Sequence, residues 1–316
     1  MIGTLELGLL YAVMALGVYL TFRVLNFPDL TVDGSFTTGG AVAAILIING
    51  VPPVIATLAA CVAGALAGVI TGLLYTKGKI DGLLAGILTM IALWSINLRI
   101  MGKSNLPLLR TDTLFTPLKD AGILGTFGSV LIILAGVVVL KLLVDWFLST
   151  DLGLAIQATG NNEQMIRSFG VNTDRMTILT LALSNAFVAG CGALISQYQG
   201  FADISMGIGL ILVGLASVII GQAIFGHRTV FLATIGVIVG AVLYRIVIFL
   251  AISAGLDPND MKFISAVLVV AALLIPRWGL FKRFQRRRHG APAVSDATAA
   301  VATAAAGVAE SAGKGK

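Results

Sequence analysis

The chain has 316 residues and a formal net charge of +6; 58% of its residues are hydrophobic and 11% are charged. About 25% of the residues in an average soluble domain are charged, so this composition excludes an ordinary soluble protein. Many apolar runs approach the roughly 20 residues that a helix needs to cross a bilayer, which predicts an all-α polytopic membrane protein and not a β-barrel with alternating segments of about 10 residues.

The apolar runs indicate about nine membrane spans, with eight or ten as alternatives. The second, seventh and ninth are short or contain polar residues and glycine, which favours broken or re-entrant helices. The predicted spans are Ile2–Phe22, Leu30–Ile48, Pro53–Tyr75, Gly82–Met101, Ile123–Phe147, Met176–Ser196, Ser205–Phe225, Thr229–Ile252 and Met261–Ile275.

A polar break, Asn26–Ser35, follows the first span. Asp29 and Asp33 lie in it, close to Pro28. Backbone groups freed by such a break are tolerated at membrane depth where they are buried in protein or line a cavity. The segment is therefore a candidate lining for an internal cavity.

The third span carries Gly64, Gly68 and Gly72, spaced every four residues. This spacing places them on one helix face, where the lack of side chains lets another helix approach closely. Tight packing within the chain is the main interpretation, and a homodimer face or a moving helix contact is the alternative.

A long polar insertion, residues 150–175, interrupts the apolar chain between the fifth and sixth spans. Asn161 is predicted to be the N-cap of a short helix with Gln164 at position N3, and Gly170 is predicted to end it in a left-handed conformation. Met165, Ile166 and Phe169 share one face of this helix, and Glu163, Arg167 and Ser168 lie largely on the other. The insertion therefore predicts a short amphipathic helix at a membrane surface.

The chain ends in a basic cluster followed by an Ala-rich stretch. We expect a membrane domain over residues 1–280 and a disordered tail over 281–316. The positive-inside rule places the tail and the polar insertion in the cytoplasm, and the net charge does not indicate nucleic-acid binding. The cluster comprises Arg277, Lys282, Arg283, Arg286, Arg287 and Arg288.

No constellation of catalytic residues is visible in the sequence. Paired carboxylates, a serine beside a base and a metal-binding group of His or Cys are all missing, and no G-x-x-x-x-G-K-[ST] motif occurs. We therefore expect neither an enzyme, nor a metal site, nor an ATP site in this chain.

The polar insertion resembles the cytoplasmic loop of permeases in the branched-chain amino acid/ribose class of ABC importers. Ile166 departs from the usual pattern, in which a small alanine is common. Asn26–Ser35 and Gly207–Gly226 resemble two further segments of that class, so the resemblance extends over about Ile2–Arg277. The matching loop residues are Gly153, Ala155, Ala158, Thr159, Gly160, Asn161, Gly170, Val171 and Asn172.

This resemblance implies a permease subunit in a bacterial inner membrane, embedded in lipid, with two copies forming the solute path. Separate ATPase subunits would bind ATP and grip the loop, and an extracytoplasmic binding protein would deliver the solute, an amino acid or a similar small polar molecule. Within the class, the chain looks closest to permeases paired with binding proteins for aromatic amino acids or related small solutes. The loop residues expected to couple to the ATPase are Gly153, Ala155, Gly160, Asn161, Glu163, Met165, Ile166, Arg167, Phe169 and Gly170.

A few polar residues in or near the spans are expected to line the translocation path or gate it, because ionisable groups are costly in a bilayer. Intramolecular pairing or snorkelling to the membrane interface is the alternative for each of them. The candidates are Asn26, Asp29, Asp33, Ser35, Asn185 and Arg245.

An ion-coupled secondary transporter with broken helices is the alternative function. Interrupted spans occur in both classes and do not separate them. The capped loop helix favours the ABC importer, because an independent carrier does not need a docking element for an ATPase.

Overall fold

The structure is a computed structural model and describes residues 1–109, 111–226, 229–255 and 264–270. Two short strands, β1 (Asn105–Pro107) and β2 (Phe201–Asp203), pair antiparallel, and residues 264–270 are helical. The remaining helices are α1 (Ile2–Tyr19, continued by a π-helical turn over Leu20–Val24), α2 (Thr31–Ile48), α3 (Pro53–Thr76), α4 (Gly82–Met101), α5 (Thr116–Asp120), α6 (Phe127–Ser149), α7 (Asp151–Asn161), α8 (Glu163–Ser168), α9 (Thr173–Gln199), α10 (Leu210–Phe225) and α11 (Val230–Ser253).

Seven helices of the described residues are long and apolar enough to cross a membrane: α1 with its π-helical turn, α2, α3, α4, α6, α9 and α11. The predicted all-α membrane fold is therefore confirmed, although the predicted number of spans is larger. The seventh predicted span contains only the 16-residue helix α10, because residues 204–209 form turns. The ninth, 261–275, lies partly outside the described residues, and the tail 281–316 lies wholly outside them.

Short polar signals set the ends of several of these helices. The Asp81 carboxylate accepts a hydrogen bond from the Leu83 amide at 3.0 Å and caps α4, and the Asn172 side chain caps α9 through the Arg175 amide at 3.1 Å. Gly102 and Gly200 end the same two helices in left-handed conformations that glycine adopts without strain.

The connections lie at two opposite faces of the bundle. The loop face carries α7 and α8, the ends of α1, α3 and α6, and the starts of α4, α9 and α11; an ion pair from Lys77 to Asp174 (3.5 Å) joins α3 to α9 there. The ribbon face carries β1 and β2, which follow the far ends of α4 and α9. Partial burial opposes ionisation of Asp203 on this ribbon, but hydrogen bonds from Ser205 and Asn105 outweigh it and lower the pKa of its carboxyl.

Helix α1 lies at the centre of the bundle and packs against α6, α9, α10 and α11. It carries apolar residues on every side, with Glu6 as its only charged residue, which is the pattern of a buried helix, and residues 8–19 are all buried. Gly17 allows α9 to approach so closely that the Ser184 hydroxyl donates to the Gly17 carbonyl at 2.7 Å. Because it contacts four other helices, α1 sets the position of most of the fold.

The most extensive helix pair is α3 against α9. Gly64, Gly68 and Gly72 all lie on the α3 face that meets α9. A Cβ at Gly68 would overlap the Leu181 carbonyl oxygen, and one at Gly72 would lie 2.9 Å from the Ile178 Cα. These glycines therefore serve a contact within the chain.

Candidate functional site

The polar insertion folds as two helices, α7 and α8, rather than one. The sequence-based assignment of the N-cap to Asn161 is wrong: Asn161 is the last residue of α7, and the side chain of Asn162 caps α8 by accepting from the Met165 amide at 3.0 Å. The adjacent asparagines are chemically equivalent caps, and the unforeseen helix α7 occupies the first of them. Gly170 follows α8 with a φ of 85°, so the helix stops where glycine tolerates a left-handed turn.

Helix α7 is fixed against the body of the protein by glycine contacts. A Cβ at Gly153 would overlap the Phe147 carbonyl oxygen, and a Cβ at Gly160 would overlap the Val24 carbonyl oxygen at the end of α1. Ala155 is half-buried, and its carbonyl accepts from the Thr159 hydroxyl at 2.7 Å. Gly153 and Gly160 thus hold α7 against the body of the protein, and Ala155 lies half-buried between them.

Helix α8 presents an uncovered apolar surface. Phe169 is 76% exposed and Met165 is 49% exposed, whereas Ile166 is half-buried. Large apolar side chains this exposed at a polar loop are typical of a contact with another protein. The surface formed by Met165 and Phe169 is called the α8 patch below.

Charged groups bind α8 to the start of α9. The Arg167 guanidinium lies 2.9 Å from the Glu163 carboxylate and 3.1 Å from the Asp174 carboxylate, and it also donates to the Thr173 hydroxyl at 2.7 Å. Exposed ion pairs contribute little singly, but a network that shares one guanidinium restricts the orientation of the helix. The α8 patch is therefore carried on a helix that is joined to α9.

The break between α1 and α2 turns back into the interior. Asn26 has a φ of 57°, a left-handed conformation that asparagine tolerates. Asp29 is buried, and its carboxylate accepts from the Asn185 side-chain amide of α9 at 2.7 Å and from the Thr31 amide at 2.9 Å. Asp29 and Asn185 are thus partners of each other and join the start of α2 to the middle of α9.

Asp33 caps a helix that begins inside the protein. Its two carboxylate oxygens accept from the Gly209 and Ile211 amides, both at 2.8 Å, at the first turn of α10. The first amides of a helix have no partner within it and form the positive end of the helix dipole, so a carboxylate is favoured there. Gly34, the residue after Asp33, packs against Met90 and Leu93 in the middle of α4. The start of α10 therefore lies midway between the two faces of the bundle.

The chain matches one known protein family over most of its length. The family described as the permease component of branched-chain amino acid transport systems matches residues 1–274. The chain belongs to this family. It is therefore the membrane permease subunit of an ABC-type importer, a system that also uses an ATPase and a solute-binding protein.

Three relatives illustrate the range of the permease family. The chain is 43% identical over 272 residues to the tyrosine transport system permease protein of Clostridioides difficile, covering 86% of this chain and 90% of that protein. It is 25% identical over 274 residues to the ribose import permease protein of Escherichia coli, covering 84% and 81%. It is 26% identical over 293 residues to the probable branched-chain amino acid transport permease protein of Methanocaldococcus jannaschii, covering 88% and 90%. No solved structure matches the chain.

The polar residues predicted to line the path of the permease lie in different places. Asn26 borders a polar cavity of about 480 Å³ at the loop face, between the end of α1, α7, α10 and the start of α11. Asp33 borders a second cavity, between α2 and α4. The Ser35 hydroxyl is buried and has no hydrogen-bond partner among the described residues. Arg245 lies over the Tyr11 ring at 4.0 Å, in the contact between α1 and α11.

Two buried charge sites of the permease were not among the predicted site residues. The first is an ion pair in α6 between Lys141 and Asp145, whose side chains are 5% and 14% exposed. Both residues also contact α11: Asp145 accepts from the Thr234 hydroxyl at 2.8 Å, and Lys141 lies over the Phe231 ring. The sequence does contain a sign of this ion pair, namely two opposite charges four residues apart in an otherwise apolar span.

The second buried charge site is Glu6, which accepts hydrogen bonds from Ser129, Gly125 and Tyr198 near the ribbon face. The sequence places Glu6 near the end of the first span, but it does not indicate partners so distant along the chain.

Proposed function

We propose that this permease imports an amino acid across the cytoplasmic (inner) membrane of a bacterium, working as a pair of identical copies. Separate ATPase subunits bind and hydrolyse ATP on the cytoplasmic side, and an extracytoplasmic binding protein delivers the solute at the ribbon face. The permease itself holds no cofactor and performs no catalysis. The observation that carries the proposal is the exposed α8 patch on a capped helix that is joined to the body of the protein.

The contacts around the loop suggest how ATPase movement reaches the membrane interior. A displacement of α8 acts on α9 through Arg167, and α9 is joined through Asn185 and Asp29 to the start of α2. Asp33 then connects α2 to the start of α10. This series of polar contacts joins rigid helices, so it can convert closure of an ATPase pair into separation or closure of α2 and α10.

The choice of an amino acid as solute rests on the relatives. The tyrosine transport permease has the higher identity and the longer coverage of its own chain, whereas the ribose permease is more distant. A tyrosine-like amino acid is thus the first solute to test, and ribose is the second.

The coupling role predicts that Phe169→Ala abolishes or strongly reduces ATP-dependent uptake while the permease still inserts into the membrane. Losing an exposed aromatic anchor at the centre of an interface typically weakens binding by about 2 kcal/mol or more. The first measurement is uptake of labelled tyrosine by proteoliposomes that contain the permease, its ATPase and the loaded binding protein. The second is ATPase recovery, the amount of ATPase that copurifies with the permease.

Phe127→Ala is the matched control, because Phe127 at the start of α6 is 77% exposed but lies at the ribbon face. It should leave ATPase recovery unchanged, because the ATPase binds at the opposite face. Full uptake by Phe169→Ala would contradict the coupling role. Ion-driven transport by the purified permease without any ATPase would support the secondary-transporter alternative instead.

A further inference from the structure

The cavity beside Asp33 has the features of a solute-binding site. It has a volume of about 380 Å³, lies between α2, α4 and the turn before α10, and is large enough for a small organic molecule. Its apolar lining comes from Met90, Ile91, Trp94 and Ile208. A sugar carries hydroxyl groups on all sides and would regain few of its hydrogen bonds against such a surface, so the lining favours a molecule with an apolar or aromatic group.

Besides the hydroxyl groups of Thr37 and Ser95, the polar groups of this cavity are an amide and a carboxylate. The Asn97 side chain is buried; its amide nitrogen donates to the Gly34 carbonyl at 3.4 Å, which fixes the orientation of the amide, and its Oδ1 has no partner among the described residues. The Asp33 carboxylate contributes negative charge on the same lining. A buried acceptor and a carboxylate together call for a donor with positive charge, such as an ammonium group.

The start of α10 adds a second constraint. Because Asp33 already occupies the positive end of this helix, a solute carboxylate cannot bind there, and no Lys or Arg lines the cavity in the described part of the chain. A bound amino acid would therefore direct its ammonium group inward and its carboxylate toward the opening. A lipid chain would leave Asn97 Oδ1 without a donor, which disfavours a purely hydrocarbon occupant.

We propose that this cavity is a low-affinity binding site on the translocation path for a molecule that joins an ammonium group to an aromatic or large apolar group. The ammonium group binds Asp33 and Asn97 Oδ1, and the ring packs on Trp94. This site rests on the proposed import of an amino acid and refines it: the permease itself, and not only the binding protein, distinguishes an aromatic amino acid from a sugar.

The test measures equilibrium binding to the permease–ATPase complex in lipid nanodiscs, without the binding protein. Labelled tyramine, which has the ammonium group and the ring but no carboxylate, should bind saturably. Labelled ribose and 3-(4-hydroxyphenyl)propionate, which lacks the ammonium group, should not. Trp94→Leu and Asn97→Leu should each weaken tyramine binding about tenfold, because each removes one of the few specific contacts.

Trp146→Leu is the matched control, since Trp146 is an exposed residue of α6 and does not line the cavity. It should bind tyramine as the unchanged complex does. Equal binding of ribose and tyramine, no saturable tyramine binding, or unchanged binding by Trp94→Leu would overturn the proposal. A disulfide between the copies at Ser95→Cys, in a variant without Cys61 and Cys191, would show that a second copy fills the cavity and would also overturn it.

These outcomes are independent of the proposed function. A complex that imports tyrosine with ATP but does not bind tyramine would reject the site alone. A permease that binds tyramine but neither recovers the ATPase nor supports ATP-dependent uptake would reject the coupling role alone.

Discussion

Charged side chains inside the bundle are stable here because each has a specific partner. The positive end of α10 holds Asp33, an amide from α9 holds Asp29, and Lys141 pairs with Asp145. An isolated charge in this apolar surrounding would be strongly unfavourable, and removing one partner leaves such a charge behind. The consequences of substitution therefore depend on the partner that remains more than on the residue removed.

The Lys141–Asp145 pair provides the clearest test of this dependence. Asp145→Asn should destabilise the permease by about 3–5 kcal/mol, because Lys141 stays buried without its carboxylate. The double variant Lys141→Met with Asp145→Leu should recover most of that loss, since neither buried charge remains. Unfolding in detergent, followed by thermal melting or denaturant titration, measures both.

Glu163→Gln in the exposed Glu163–Arg167 pair of α8 is the control. It should change stability by less than about 1 kcal/mol, since exposed ion pairs of the same i,i+4 spacing contribute little. Equal effects of Asp145→Asn and Glu163→Gln would mean that water reaches the α6 pair, contrary to its burial.

At the scale of elements, the contact of α3 with α9 depends on the absence of side chains. The three glycines of α3 let the two backbones approach each other, and dispersion contacts and interhelical hydrogen bonds then replace the hydrophobic effect that is weak between helices in lipid. Asn185 and Leu181, which meet this glycine face, also approach the residues around Asp29. The closeness of α3 therefore helps to position the polar break.

Gly68→Ala should destabilise this helix pair, because the added methyl group would overlap the Leu181 carbonyl oxygen. A backbone neighbour cannot rotate away, so α3 and α9 must separate, at a cost of about 1–3 kcal/mol for overpacking. Thermal stability of the purified permease measures the change.

Gly136→Ala in α6 is the matched helical control, because no atom lies within reach of its Cβ. It should be neutral or stabilising by up to about 1 kcal/mol, owing to the higher helix propensity of alanine. Equal stability of the two variants would contradict the close approach of α3 and α9.

The sequence predicts the elements that depend on local composition and misses those that depend on distant partners. Long apolar runs, the break at Pro28 and the glycine stop at Gly170 are local features, and they predict helix type and approximate bounds. Local composition does mark the seventh span as broken or re-entrant, but the helix start at Leu210 depends on Asp33, which lies far away in the chain, so no local pattern locates the residue at which α10 begins. Trp94 and Asn97 likewise look like ordinary residues of an apolar span until α2 is placed beside them.

At the scale of the whole molecule, the charges differ between the two faces. Arg23, Lys77, Lys79, Arg167 and Arg175 lie at the loop face, whereas the described part of the ribbon face contains Arg99, Lys103 and Lys119. Basic residues accumulate on the cytoplasmic side of membrane proteins. The distribution therefore favours a cytoplasmic loop face, the side on which an ATPase can reach the α8 patch.

This orientation predicts opposite labelling of two exposed serines. In a variant without Cys61 and Cys191, Ser168→Cys on α8 should react with a membrane-impermeant thiol reagent only in inside-out vesicles. Ser104→Cys, beside β1 at the ribbon face, should react only from the periplasmic side of intact cells or spheroplasts. The reverse pattern would place α8 away from the ATP of the cytoplasm and would contradict the coupling role.

The central position of α1 also has a consequence for biosynthesis. Helix α1 is synthesised long before α9 and α11, which cover much of its surface in the finished fold. Gly8 and Gly17, where α11 and α9 pack closely on α1, therefore stay exposed to lipid or to the insertion machinery until the second half of the chain is inserted. A nascent chain that stops before α9 has only α6 of the four helices that pack on α1, and the remaining surface of α1 is then open to membrane proteases. The central helix is thus made first but is packed last, and the bundle can be completed only after α11 has been synthesised.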